Sequence, residues 1–309
     1  NGLYPPLSGF CNNEKWKNSN GAWIRSEVWA CLFPGAPDEV MRFAWLDSCV
    51  DHCGDGIYAE IFTAVLESAA FVESDVRKLI DIALARIPAD CRVARSVKLA
   101  IECHDSGIDW RTARNRIVEE SADLGWFQAP ANLGFVVLGL LYGEGDFGRS
   151  ICISVNCGDD TDCTGATAGA VLGIISGRKN LPQKWIDPIG NAIRTVAVQN
   201  YQLYVPATLE ELTDRVIHAK VQVERENPTL PRLTTGPTRI TEAFRERFGK
   251  AGEAAERVLA RSSRALGFDL PWGLLTVEYG TSPVTAPGET QRLTISITEC
   301  PHDNRLACF

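Results

Sequence analysis

Residues 156–177 read NCGDDTDCTGATAGAVLGIISG. Asp159, Asp160 and Asp162 fall within four positions, directly before a run of small and apolar residues. Gly165, Gly169, Gly173 and Gly177 recur every four residues, which places them on one face of a helix. Each glycine costs about 1 kcal/mol against alanine in a helix interior, so the pattern predicts a central helix that another backbone approaches closely. One carboxylate is enough to satisfy the orphan N–H groups at such a helix start. Three in four positions repel one another unless a cation or water lies between them. Asp160 and Asp162, two apart on a loop entering a helix, can reach one centre. Such oxygen donors, with Thr161 or Thr164 beside them, suit Mg²⁺ or Mn²⁺ rather than zinc. The EF-hand spacing is absent. Capping alone and a solvated acidic turn are the competing readings; the flanking apolar segments 131–143 and 163–177 argue against the second.

Working outward, the first two-thirds of the chain reads as helices joined by short loops. Apolar residues at helical spacing predict helices over 38–50, 57–72, 74–87, 91–107, 109–125, 131–143 and 147–158. Asp38 and Ser74 are expected as N-caps, and Arg111, Arg114 and Arg116 as exposed. ANLGFVVLGLLYG (131–143) is apolar all round and is expected at the centre. Two further helices are expected over 185–199 and 208–225, and a charged helical stretch over 239–267. A Pro- and Thr-rich segment, 226–238, marks a boundary. Beyond Pro271, GLLTVEYG and QRLTISITEC alternate apolar and polar residues around a turn-rich loop and read as strands. The expected division is a helical domain over 1–225, a linker and charged helix over 226–270, and a small partial β-module over 271–309. Both ends are expected to be truncated.

A net charge of −8 without a basic run interleaved with aromatics argues against a nucleic-acid or anionic-membrane partner. No apolar stretch reaches the roughly 18–20 residues that span a bilayer. Eleven scattered cysteines without a CxxC pair lack zinc-finger spacing and read as reduced thiols of a cytoplasmic protein.

GDDTDCTGATAGAVLG resembles the C-terminal metal motif of the ADP-ribosylglycohydrolase family: a glycine, Asp-Thr-Asp, usually Thr, then a small-residue helix. Asp160, Thr161 and Asp162 fall on the Asp-Thr-Asp, and Cys163 stands where many members carry a ligand Thr. NSNGAWIRSEVWACLFPG (18–35) resembles the family's Asn-Gly-Ala segment, with Asn20, Gly21 and Ala22 in the matching positions. DSCVDHCGDGIYAEIFTAVLESAAF (47–71) resembles the segment in which a helix ends in a His and the next follows a Gly-aromatic pair, with His52, Gly56 and Tyr58 in those places. The resemblance covers roughly 15–200. It implies an orthogonal, mainly α bundle, carrying here the partial β-module at its C-terminus. It also implies hydrolysis of the glycosidic bond at the ribose C1″ of ADP-ribosylated protein. Two Mg²⁺ or Mn²⁺ ions are expected in the complete site, with Asp160, Asp162 and Cys163 as metal residues here. Asn20, Gly21, Ala22, His52, Gly56 and Tyr58 would contact ADP-ribose.

The family's N-terminal Thr-Asp-Asp, which supplies the remaining ligands, finds no match in residues 1–155. The chain is therefore expected to supply half of a metal site: either an N-terminal fragment or additional domain completes it, or the chain is a divergent member without a complete site, and no catalytic residue is assigned. Two alternatives stay open: a non-catalytic ADP-ribose-binding or structural member of the fold, and an N-riboside hydrolase on the same scaffold.

Overall fold

Twelve of the thirteen residues from Ala129 to Leu141 are apolar or small, Asn132 being the exception, and all thirteen are buried in the helix around which the others pack. The structure is a computed structural model that describes residues 2–195, 204–236, 240–242, 244, 248, 251–270, 273–280 and 282–299. It is mainly helical, with one small antiparallel sheet. In chain order the helices are α1 (Leu7–Phe10), α2 (Ser26–Leu32), α3 (Pro37–Ser48), α4 (Asp55–Ala70), α5 (Val76–Leu84), α6 (Arg92–Asp105) and α7 (Trp110–Glu120). They continue as α8 (Ala129–Tyr142), α9 (Phe147–Asn156), α10 (Thr161–Ser176), α11 (Gln183–Ile186), α12 (Leu209–Glu226) and α13 (Glu253–Leu259). Helix α8 packs against α6, α7, α9 and α10, and α4 against α2, α3 and α5. Fourteen of the sixteen α4 residues are buried, so this helix forms a second axis of the core. Among the described residues no helix is long and apolar enough to cross a membrane.

Local signals set most boundaries. The Asp109 carboxylate accepts from the backbone N–H groups of Arg111 and Thr112 and starts α7; Asp146 does the same for α9 through Arg149. Two expected caps are displaced. Asp75 rather than Ser74 caps α5, accepting from Arg77 and Lys78. Helix α3 begins at Pro37, and Asp38 instead receives Arg86 Nε at 2.6 Å and the Gly252 N–H at 2.9 Å. Arg86 is fully buried and also donates to the Phe248 carbonyl at 3.1 Å, which ties the segment before α13 to the bundle.

The helix expected over 185–199 ends at Ile186. Pro188 lacks the N–H that would continue it, and Gly190 takes φ +69°. Residues 191–193 instead exchange backbone hydrogen bonds with 207–209; positions 196–199 lie outside the described residues. Within the described residues the helical expectation over 239–267 holds for α13 and at Glu242 and Phe244, and several positions from 239 to 250 lie outside them. Its last residues belong to a strand. The sheet has the order β1 (Ala265–Leu270), β2 (Gly273–Glu278), β3 (Thr294–Glu299), all antiparallel. The register aligns Leu266, Val277 and Ile295, and Phe268, Leu275 and Ile297, so these two rows make an apolar patch on one face.

The glycine stripe of α10 behaves differently from the expectation. A Cβ at Gly165 would lie 2.8 Å from Val155 Cγ2 of α9, whereas one at Gly173 would meet nothing within 4 Å, and Gly177 (φ +68°) ends the helix. The close backbone approach occurs one helix away. A Cβ at Gly139 of α8 would overlap the Ser154 hydroxyl and lie 2.6 Å from the Ser150 carbonyl of α9. Helix α10 buries the face of Cys163, Thr164, Thr167, Ala168, Val171 and Leu172 instead.

Candidate functional site

The loop from Gly158 to Asp160 joins α9 to α10 and is held from several sides. Arg114 Nε donates to the Cys157 carbonyl at 2.8 Å, fixing the end of α9; Arg114 is therefore half-buried rather than exposed as expected. Asp159 takes φ +62°, and its carboxylate accepts from the Phe127 N–H at 3.0 Å. Burial raises the Asp159 carboxyl above its ordinary range, partly offset by bonds from Phe127 and Asn132. The Asp160 N–H donates to Asn132 Oδ1 at 3.2 Å. Asn132 is a fully buried amide on an otherwise apolar helix, and its own NH₂ goes to the Gln128 carbonyl at 3.0 Å.

Asp160 occupies the N-cap position of α10, but its side chain makes no capping bond. Its Oδ2 accepts from Asn20 Nδ2 at 2.7 Å, across 140 positions of chain. Trp23 fixes which way round Asn20 sits. The indole N–H can only donate and meets Asn20 Oδ1 at 3.0 Å, so the amide NH₂ faces Asp160. The carboxylate is thus held by a donor outside its own helix, which leaves the capping reading without support. Asp160 and Cys163 are buried at 7% and 8% exposure, Asp162 is exposed, and one ligand atom from each lies within 4.8 Å of the others. Burial first, then Asp160 and Asp162, push the Cys163 thiol up.

His52 sits on the other side of the Asn20 segment. Ser19, Asn20 and Gly21 are consecutive, so Ser19 and Gly21 meet His52 while Asn20 turns to Asp160. Ser19 Oγ lies 3.0 Å from His52 Nε2, and Asp51 Oδ1 lies 2.7 Å from Nδ1. An ionised Asp51 only accepts, so Nδ1 carries hydrogen, and in the neutral ring Nε2 accepts the Ser19 hydroxyl. Burial alone would raise the Asp51 carboxyl, but hydrogen bonds from His52 and from Arg25, the latter at 3.0 Å to each oxygen, hold it well below the usual range. A Cβ at Gly56 would overlap the Lys17 carbonyl and lie 2.9 Å from His52 Cδ2; one at Gly21 would lie 3.2 Å from Cε1. The two glycines hold the imidazole between them.

Trp16, Ser19, Gly21, Asp51 and His52 line a cavity of about 460 Å³. Trp16 meets Phe127 edge-on at 6.0 Å, and Trp126 lies 5.0 Å from Phe127, so an exposed aromatic group borders both the cavity and the aspartate loop. Of the positions read from the sequence, Asn20 contacts Asp160 directly, and Gly21, His52 and Gly56 pack together on the other side of the Asn20 segment. Ala22 is fully buried beneath them. Tyr58 packs against the core, with Cys91, Asp55 and Cys53 as titratable neighbours. Reading the sequence missed Ser19, Asp51, Arg114, Phe127 and Asn132. Only Asn132 carried a signal, as the one amide within an apolar run.

No curated protein and no solved structure gives a significant match to the chain. A family model described as ADP-ribosylglycohydrolase matches residues 5–226, more than two thirds of the length, and includes both sides of the Asn20–Asp160 contact. The chain therefore belongs to the ADP-ribosylglycohydrolase family.

Proposed function

We propose that this chain serves the hydrolysis of the glycosidic bond at the ribose C1″ of ADP-ribosylated protein. Membership of the family makes a hydrolase of glycosidic bonds the starting point, and the family uses a dinuclear metal site. The observation that carries the reading is the 2.7 Å bond from Asn20 to Asp160, which joins the two segments that resemble ligand-contacting and metal motifs. The donor set fits a divalent ion. Two carboxylates and a thiol lie within 4.8 Å of one another, and Asp160 is held by a neutral amide rather than a cation.

Asp160, Asp162 and Cys163 would hold the ion, which when bound orients a water and the ribose hydroxyls. Asn20 keeps Asp160 in place. Asp51, clamped by Arg25, fixes the His52 tautomer so that the Ser19–His52 pair presents its polar edge to the cavity, where it would meet a ribose or phosphate. Gly21 and Gly56 leave room for that imidazole and no more. The aromatic border offers an apolar face to the rest of the nucleotide.

Calorimetric titration of ADP-ribose in the presence of divalent ions tests this. Asp160→Ala combined with Asp162→Ala should weaken binding at least roughly tenfold, the loss expected for removing metal-held contacts; unchanged affinity overturns the reading. Among the described residues this is the one three-ligand group, which favours ADP-ribose binding without hydrolysis as the second reading. Tight binding with no release of ADP-ribose from modified protein selects it. Release of ribose from free nucleosides would select an N-riboside hydrolase.

A further inference from the structure

Cys163 stands in the first turn of α10 directly after Asp162, and it is the feature of the loop that oxygen chemistry does not explain. We infer that this residue makes the centre selective for a borderline-soft divalent ion, of the Zn²⁺, Co²⁺ and Fe²⁺ class, over Mg²⁺. The inference rests on the proposed metal-holding role of Asp160 and Asp162 and adds the ion's chemical class to it.

Three observations carry it. The Cys163 sulfur belongs to the same group of ligand atoms as the two carboxylates, all within 4.8 Å. Ligands on one ion at about 2.0–2.3 Å each lie no more than roughly 4.5 Å apart, so the group needs to close by only a few tenths of an ångström. One carboxylate of the group is also fixed in place, since Asn20 Nδ2 donates to Asp160 Oδ2 at 2.7 Å. Finally, the residue is 8% exposed, so a bound ion would sit against a sulfur shielded from water.

The hydroxyl of the Thr that many family members carry here would give a hard, all-oxygen set suited to Mg²⁺. A thiolate reverses that preference, because Mg²⁺ gains little from sulfur and holds its water tightly, whereas Zn²⁺ and Co²⁺ bind thiolate strongly. Ion binding replaces the Cys163 S–H bond with a sulfur–metal bond. The thiol proton passes to solvent, the carboxylates bind as they stand, and no electrons are transferred.

The test strips the full chain with chelator and titrates it with Co²⁺, read by absorbance. A near-ultraviolet thiolate-to-cobalt band is expected, bleached by stoichiometric Zn²⁺ and unaffected by a roughly thousandfold excess of Mg²⁺. In Cys163→Ser, which keeps the side-chain size and removes the sulfur, the band should vanish. Zn²⁺ affinity should fall by roughly a hundredfold while Mg²⁺ affinity stays within about threefold. A second readout needs no variant: Zn²⁺, but not Mg²⁺, should protect Cys163 from alkylation as followed by peptide mass spectrometry. A thiolate band that survives Cys163→Ser, or displacement of Co²⁺ by equimolar Mg²⁺, overturns the inference. Co²⁺ binding without a thiolate band that is lost in Asp160→Asn with Asp162→Asn also overturns it, yet leaves the carboxylate site standing. A folded chain that binds none of Co²⁺, Zn²⁺, Mn²⁺ or Mg²⁺ overturns both.

Discussion

Asp160 of the α9–α10 loop and Glu60 of α4 are both withdrawn from water, at 7% and 0% exposure, and their surroundings are opposite. Asp160 receives an amide N–H at 2.7 Å and lies beside the exposed Asp162. Glu60 has neither oxygen on a donor, with Arg25 4.0 Å away and Asp47 close by. Burial, then Asp47, pushes Glu60 up to about 10, so it is protonated at neutral pH, and only that form can hydrogen-bond the Asp47 carboxylate. Seven residues along, fully buried Glu67 is raised as well, first by burial and then by Glu27, with Ser26 Oγ donating to it at 3.0 Å. Depth alone therefore does not decide how a carboxylate is accommodated. A donor aimed at Asp160 Oδ2 and an exposed neighbour at Asp162 separate the two groups.

Breaking the donated side of the comparison should have the largest effect on stability. Asn20→Asp keeps the acceptor for Trp23 but replaces the N–H aimed at Asp160 with a second carboxylate oxygen. Denaturant unfolding should show a loss of about 3 kcal/mol without divalent ion. A loss below about 1 kcal/mol would mean that the Asn20–Asp160 contact does not hold the loop.

The α4 side is sharpened by pH. The folded chain holds the Glu60 proton up to about 10, while the unfolded chain releases it near 4.5, so between those values the folded state binds more protons. Stability from this group is full below the unfolded pKa and declines as pH rises through the window, by up to about 1.4 kcal/mol per pH unit. Glu60→Gln should therefore stabilise the chain by about 3 kcal/mol at pH 7 and flatten the fall between pH 5 and 9. Glu67 acts in the same direction and leaves a residual slope. Thermal unfolding against pH checks it, and an unchanged slope would show that Glu60 is ionised in the fold.

The smallest effect belongs to the support behind the aspartates. Arg114→Ala removes the 2.8 Å bond to the Cys157 carbonyl and the guanidinium over Phe135, which should cost about 1–2 kcal/mol. Hydrogen exchange at the start of α10 should rise with it.

These contrasts show what could be read in advance. The DDTD run was legible because adjacent like charges before an apolar helix need an explanation of their own. The glutamates of IYAEIFTAVLESAAF were not: seven apart on a helix, Glu60 and Glu67 share a face that sequence spacing equally permits to be solvated. The helices around α8 were legible from periodicity. The helix expected over 185–199 failed because the backbone pairing of 191–193 with 207–209 competes with helix propensity through partners fourteen or more residues away. The first strand failed for a similar reason. ALGFDL is short enough to suit either state, and its pairing with β2 decides it.

The sequence by itself determined the helical class, the central place of α8, the acidic start of α10 and the segments that resemble one hydrolase family. Periodicity, caps and like-charge proximity act within a few residues, so they are written locally. Only the tertiary structure decided that Asn20 reaches Asp160, that Ser19 and Asp51 flank His52, that Gly139 rather than the α10 stripe admits a neighbouring backbone, and that Glu60 lies dry. Each depends on groups 33 to 140 residues apart, or on side chains and helix faces whose orientation is fixed only when the whole bundle closes.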